Sequence, residues 1–292
     1  MPRILVTGAA GFIGRATSQA LRGANRDYLA ADKSSSGPVV ACDLEDPASL
    51  KSLFTADRFD AIIHLAAVLP GAASVDPFKA ARVNVGASLA LLDAAMASGV
   101  PRFIFGSSTS VYGSAGLNSP ISEEMPASPC DVYGGAKRFV EIVGVNLHQQ
   151  GKIEFVSLRI ATVVGPGARH TSSPWRSEIF EKLGSRTRQA ISLPYSIEDP
   201  LTVVHVDDVG CMLVRLAEAK SVRETVYNTP AELISAGDLK RLIEKVDPQI
   251  EVQLAGRSRP PAPLADGVRF AKEFGFEIPS LESKLKKHAS GS

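Results

Sequence analysis

Short, continuously apolar runs alternate along the first half of the chain with longer stretches that are apolar at three- and four-residue spacing. The short runs fall at 4–7, 28–31, 39–41, 61–65, 102–105 and 154–159. Runs of that length without polar alternation predict strands buried on both faces. Between them lie helical patterns ending near residue 21, starting near Pro47, over 83–97, and from the Tyr133 region to about 149. Strands and helices alternating at this rhythm predict an α/β fold, a Rossmann-type doubly wound parallel sheet, over residues 1–165.

After Gly165-Pro166-Gly167 the texture changes. Residues 169–200 are richer in Ser, Pro and Arg and less periodic. They predict the start of a smaller C-terminal substrate lobe, residues 166–292, with some segments returning to the sheet. In that lobe the pattern predicts helices at 178–183, 239–245 and 268–274 and strands at 203–206, 226–228 and 251–253. Asp207-Asp208 reads as the cap of a further helix reaching about residue 219. The final His-Ala-Ser-Gly-Ser reads as a frayed end.

Composition narrows the function. At 292 residues the chain is long enough for one large core, or a core with a small lobe. A formal net charge of +1 points to no nucleic acid and no acidic membrane as partner. Cys42, Cys130 and Cys211 are odd in number and lack metal spacing, so they read as reduced thiols of a cytoplasmic protein and no metal is expected. No apolar run approaches the ~20 residues of a membrane helix, and no charged leader precedes the first strand.

The first strand runs into Thr7-Gly8-Ala9-Ala10-Gly11-Phe12-Ile13-Gly14, then helical sequence. In such a strand–turn–helix unit Gly8 permits the tight turn and Gly11 lets the backbone approach a pyrophosphate. Gly14 lets the helix lie close on the sheet, and the amides of the first turn, Phe12 and Ile13 among them, face the phosphates. The second strand ends at Asp32, eighteen residues past Gly14. A carboxylate there accepts from both ribose hydroxyls and repels a 2′-phosphate, favouring NAD over NADP. Arg15 and Lys33 blur that preference. Asp43, followed by Leu44, either meets the adenine or caps the helix starting near Pro47. Leu65, Ala66 and Ala67 are small or apolar enough for a cofactor to lie against, and His64 before them reads as a packed core residue.

Tyr133 and Lys137 stand four apart on a predicted helix, one above the other. A phenol titrating near ~10 is no base at neutral pH unless a cation favours its phenolate, and Lys137 is the candidate cation. Alone, the pair is equally a half-buried Tyr beside a surface Lys. After the fifth strand comes Gly106-Ser107-Ser108-Thr109-Ser110-Val111-Tyr112-Gly113. Strand C-termini line the crevice of a doubly wound sheet, so a hydroxyl from this turn can meet the Tyr133 phenol.

At this point the chain resembles the extended short-chain dehydrogenase/reductases, the NAD-dependent epimerase/dehydratase family. The resemblance rests on the glycine turn, Asp32, His64-Leu65-Ala66-Ala67, Asn84, the Ser-Ser-Thr-Ser-Val-Tyr-Gly segment, Pro129-x-x-x-Tyr133-x-x-x-Lys137, Leu158-Arg159 and Val206-Asp207-Asp208, spanning residues 1 to about 210 in the family's order. It implies that Tyr133 exchanges the substrate hydroxyl proton, Lys137 bridges the nicotinamide ribose and lowers the Tyr pKa, Ser108 orients the reacting oxygen, and Asn84 belongs to the cofactor site. NAD takes the hydride. Thr109 is carried as a substrate contact without a chemical role. The family also commonly pairs its Asn84-type and Tyr133-type helices, which implies a homodimer; Phe139, Val140, Val143 and Leu147 repeat at helical spacing there.

Departures from the family pattern narrow the reaction. Family dehydratases carry Asp-Glu where Thr109 and Ser110 stand, and decarboxylases carry Glu at the Ser110 position. Nucleotide-sugar enzymes usually show an Arg-Asp pair, the Arg gripping the diphosphate, where Leu201-Thr202 stand here, and Asn where Thr162 stands. A small sugar or sugar acid needs one cationic contact, for which Arg169, Arg176, Arg257 and Arg259 are candidates. The expectation is an NAD-dependent oxidoreductase of a small sugar or sugar acid using Ser108, Tyr133 and Lys137. The alternatives are a UDP-hexose 4-epimerase and a non-catalytic NAD(P)-binding sensor or scaffold.

Overall fold

Ile4, Leu5 and Val6 have no exposed surface, so the first apolar run is a strand with both faces covered. A computed structural model describes residues 3–34, 37–116, 119–168, 173–185, 187–256 and 262–290. Its main sheet is built from β1 (Arg3–Thr7), β2 (Asp27–Asp32), β3 (Val40–Ala41), β4 (Ala61–His64), β5 (Arg102–Ser108), β6 (Glu154–Ile160) and a later strand described below. Between these run α1 (Phe12–Gly23), α2 (Pro47–Ala56), α3 (Pro70–Val75), α4 (Pro77–Ala81), a π-helical turn Arg82–Ala87, α5 (Ser88–Ala97), a 3-10 turn Thr109–Tyr112 and α6 (Val132–Gln149).

The chain then forms β7 (Thr162–Val164), α7 (Trp175–Glu181), β8 (Gln189–Leu193), β9 (Pro200–His205), α8 (Val206–Glu218), β10 (Val226–Asn228), β11 (Glu232–Ser235), α9 (Ala236–Val246), β12 (Ile250–Leu254), α10 (Val268–Phe274) and α11 (Leu281–Ala289). The large sheet has the order β10-β6-β5-β4-β1-β2-β3, all pairs parallel. The order reverses between β1 and β4, and a crevice at the strand C-termini opens at such a reversal. Two small sheets, β11-β9-β7 and β12-β8, are built from strands between Thr162 and Leu254. The doubly wound α/β fold is therefore as the apolar pattern implied.

The differences are local and have physical causes. The segment 226–228, read as part of the lobe, is β10 and pairs with β6 in the main sheet, Val226 opposite Ser157. β5 continues to Ser108 because Gly106, Ser107 and Ser108 stay in register with Leu158, Arg159 and Ile160. The helix expected over 83–97 begins earlier and is interrupted by the π-helical turn that holds Asn84. Continuous helical backbone over Pro77–Ala97 is, at 21 residues, long and apolar enough to cross a membrane by length and composition, contrary to the sequence reading. Its Leu91, Leu92 and Ala95 are buried in the core with residues of β4 and β5, as in a core helix. α8 is capped by His205, whose Nδ1 accepts from the Asp207 amide at 3.3 Å, while Asp207 and Asp208 lie in the first turn. The segment read as a frayed end begins inside α11, which Leu281 and Leu285 anchor in the lobe core.

On α6, Val140 is fully buried and Val143 and Leu147 pack against the sheet core, so they are not outward-facing. The exposed apolar residues of that helix are Val132, Phe139 and Ile142, and Phe78 on α4 is 78% exposed.

Candidate active site

The glycine turn is shaped by close approaches. Gly8 has φ +72°, and a Cβ there would stand 2.5 Å from the Ala66 amide nitrogen. A Cβ on Gly14 would stand 2.1 Å from the Gly8 carbonyl oxygen. Gly11 meets only the Gly8 oxygen, at 3.0 Å, so the protein packs Gly8 and Gly14 and leaves the front of Gly11 open. No side chain caps α1. The first-turn amides, those of Phe12 and Ile13 included, therefore keep the free donors of a helix N-terminus. A dinucleotide pyrophosphate fits this cradle.

Asp32 faces the turn: its Oδ2 accepts from the Ala10 amide at 3.0 Å and its Oδ1 from Ser34 at 3.3 Å. The two cations that blurred the ribose reading are engaged elsewhere. Lys33 pairs with Asp43 at 2.8 Å and Glu45 at 3.5 Å. Arg15 donates to the Ala10 carbonyl at 2.6 Å and to the Gly167 carbonyl. Asp43 accepts from the Glu45 amide, and its carboxyl is lowered mainly by the Lys33 hydrogen bond. It does not cap α2; Asp46 does, accepting from Ala48 and Ser49. Leu44 packs on the core.

Leu65 lies over Gly106, where a Cβ would come within 2.7 Å of its Cδ2, and Ala66 and Ala67 follow half-buried. Asn84 is buried and spends both ends of its amide on one residue. Its Oδ1 accepts from the Val68 amide at 2.6 Å and its Nδ2 donates to the Val68 carbonyl at 2.9 Å. It thus fixes the segment after β4. His64 is a core residue: its ring nitrogens meet Thr7 Oγ1 at 2.7 Å and Ser88 Oγ at 2.8 Å, and burial pushes it down to about 3.

α6 brings Tyr133 and Lys137 to the end of β5. Asp131 caps it by accepting from the Gly134 amide at 2.7 Å, and a Cβ on Gly134 would stand 2.5 Å from the Ser110 carbonyl. Ser108 therefore lies beside the helix start, where it favours the Tyr133 phenolate. Its Oγ also accepts from the Ser110 amide at 3.1 Å and donates to Ser110 Oγ at 3.1 Å. Thr109 is buried beside it at 2% exposure.

Lys137 is 3% exposed. Its Nζ donates to the Gly106 carbonyl at 2.7 Å and lies 4.6 Å from the Phe105 ring centroid and 5.8 Å from that of Tyr133. Burial pushes Lys137 down to about 8, against the pull of Glu141. Burial, with Asp131 adding to it, pushes the Tyr133 phenol up to about 12, against Ser108 and the Arg176 cation. Lys137 is not among the groups that act on the phenol here, and desolvation outweighs Ser108 and Arg176.

Sequence reasoning brought together Ser108, Tyr133, Lys137 and Arg176. Asp131, Ser110 and Glu141 were missed, although an Asp two residues before Tyr133 and a Glu four after Lys137 were signals in plain view. Arg169, Arg257 and Arg259 lie outside the described residues. Among the described residues no cluster of His, Cys, Asp and Glu is fit to hold a metal.

Comparison with known proteins agrees with this fold. Residues 4–229 match the NAD dependent epimerase/dehydratase family. The chain is 31% identical over 183 residues to UDP-glucose 4-epimerase 4 of Oryza sativa, covering 56% of this chain and 49% of that protein. It is 31% identical over 214 residues to D-erythronate dehydrogenase of Cupriavidus necator, covering 71% and 65%. The structure of MoeE5 in complex with UDP-glucuronic acid and NAD superposes with a TM-score of 0.80 at 26% identity, covering 97% of this chain and 96% of that one. The chain spans about half the length of the curated UDP-sugar epimerases it matches.

Proposed function

Because the chain belongs to the NAD dependent epimerase/dehydratase family, we propose that it is an NAD-dependent dehydrogenase that oxidises a carbinol of a small sugar or sugar acid. NAD, the family's cofactor, supplies the hydride acceptor when bound in the cradle of Gly8, Gly11 and Gly14. Tyr133 exchanges the proton of the carbinol oxygen, Ser108 orients that oxygen, and Lys137 holds positive charge beside them. Asp32 faces the ribose end.

One observation carries the choice of a small acidic substrate. Among the described residues, Arg176 of α7 is the cation whose charge acts on the Tyr133 phenol. Meanwhile Leu201 and Thr202, at the positions of the usual diphosphate anchor, are buried at 2% and 4% exposure in β9. A carboxylate is matched by Arg176 alone; a nucleoside diphosphate needs more. With an aldonic or uronic acid and NAD, the expected result is stoichiometric NADH absorbance. Arg176→Ala then raises KM for that acid about ten- to hundredfold, since a charge-assisted hydrogen bond is worth ~1.5–3 kcal/mol. Interconversion of two UDP-hexoses without NADH release would overturn the dehydrogenase in favour of a 4-epimerase, the activity that names several of the relatives. Cofactor binding with no turnover on either class would point to a sensor.

We place a second copy of the chain over the apolar surface of α4 and α6. Phe78, Phe139 and Ile142 are exposed there, and burying each contributes roughly 1.5–3 kcal/mol. Light scattering is expected to give twice the 30.9 kDa of one chain. Phe139→Asp should return the single-chain mass. A wild-type mass of one chain ends the dimer.

A further inference from the structure

Glu141 has no role in the chemistry above, yet it has no exposed surface. It stands one helical turn beyond Lys137 on the same face of α6. Its Oε1 accepts from Ser157 Oγ at 2.9 Å and Arg159 Nε at 3.0 Å. Its Oε2 accepts from Arg159 Nη2 at 2.8 Å and Arg138 Nη1 at 3.2 Å. Burial pushes its carboxyl up, but Arg159 and the Ser157 hydrogen bond hold it below the usual carboxylate range. The carboxylate is therefore an anion at neutral pH.

A buried ion pair is poor evidence of stability, since desolvation offsets most of the attraction. Its placement suggests another use. Lys137 ties α6 to β5 through the Gly106 carbonyl, and Glu141 ties it to β6 through Arg159, the residue paired with Ser107 of β5. These two polar clamps sit one turn apart, directly beyond Tyr133.

The other charged or titratable groups around Lys137 do not supply a counter-ion. His64 on β4 and Tyr133 on α6 are neutral, and Arg159 on β6 and Arg138 on α6 carry charge of the same sign. Lys79 and Arg82, on the helical segments packed against α6, are exposed, with Arg82 turned to Glu45. Glu141 is the anion that acts on the ammonium.

We propose that Glu141, anchored by Arg159, is a positioning residue that serves as the buried counter-charge of Lys137 and fixes its ammonium against β5. The inference rests on the assignment of Tyr133 and Lys137 made above, but its test needs no substrate.

The Lys137 side chain is titrated by NMR in the full unliganded chain, its signal identified by its loss in Lys137→Met. The same titration is run on Glu141→Gln, on Arg159→Met and on Glu141→Gln/Arg159→Met, the last of which leaves no lone buried guanidinium. The wild-type midpoint is expected near 8. It falls in Glu141→Gln relative to wild type and in the double variant relative to Arg159→Met, because in each comparison only the counter-charge is lost. A midpoint that stays put in either comparison between folded proteins overturns the proposal. Loss of fold in both Glu141 variants also overturns it, by reducing the pair to a structural tie. Near-normal turnover by Tyr133→Phe, by contrast, would sink the catalytic assignment while leaving the titration result standing.

Discussion

Tyr133→Phe loses between about 10² and 10⁴ of turnover, the usual contribution of a positioned general acid or base, and keeps its affinity for NAD. The substitution removes one oxygen from a partly buried residue. The ring, its stacking neighbour Lys137 and the Asp131 cap remain, so the fold is unaffected. At neutral pH the unliganded phenol, pushed up to about 12, carries its proton. Oxidation therefore requires that this proton leave before Tyr133 accepts another from the carbinol. Ser108, which acts on the phenol and donates to Ser110 Oγ, is the neighbouring hydroxyl that can take it. Steady-state kinetics with NADH absorbance, paired with NADH fluorescence binding, separates the two effects. Turnover within a few fold of wild type would remove Tyr133 from the chemistry.

How much of this was readable beforehand follows from what each feature depends on. The parallel sheet was legible because strands buried on both faces, such as 4–7 and 102–105, announce themselves as unbroken apolar runs. β8 was not: Gln189–Leu193 alternates in burial, lies among polar residues, and is a strand because β12 pairs with it in parallel. Likewise 226–228 is too short to reveal which sheet it joins, and only its partner β6 decides that. The π-helical turn around Asn84 left no periodic trace, since a single bulge shifts the pattern by less than a turn.

At the site, spacing carried the residues that act through backbone geometry, namely the glycines and the Tyr133–Lys137 pair. What spacing did not carry was electrostatics. From four residues of separation, Lys137 was expected to lower the phenol. Its ammonium instead turns to the Gly106 carbonyl and the Phe105 ring, and the burial of both groups dominates. Burial is a property of the assembled layers, and no motif encodes it.

That burial makes a second large effect testable without a substrate. Lys137→Met abolishes most turnover and, at neutral pH, stabilises the protein. The wild-type ammonium sits at 3% exposure with its pKa pushed from 10.5 down to about 8, a shift that already includes the help of Glu141. Holding it charged there costs roughly 3 kcal/mol. Methionine fills a similar volume without charge, while the Gly106 carbonyl loses a donor at a cost of ~1 kcal/mol, so the net gain is about 2 kcal/mol. The sign with pH is fixed by linkage. Below about 8 folded and unfolded wild type both hold the proton, and the folded state bears the whole cost. Between there and 10.5 the unfolded chain keeps a proton that the folded one has released, so wild-type stability climbs as pH rises. Above that window the cost is gone. The melting-temperature advantage of Lys137→Met is therefore full at neutral pH, shrinks through the alkaline window and reverses above it, where only the lost Gly106 hydrogen bond remains. Thermal melts of both proteins across that range measure it. A variant less stable than wild type at neutral pH would show that the buried ammonium is well solvated by its surroundings, and that Lys137 is held there for its packing.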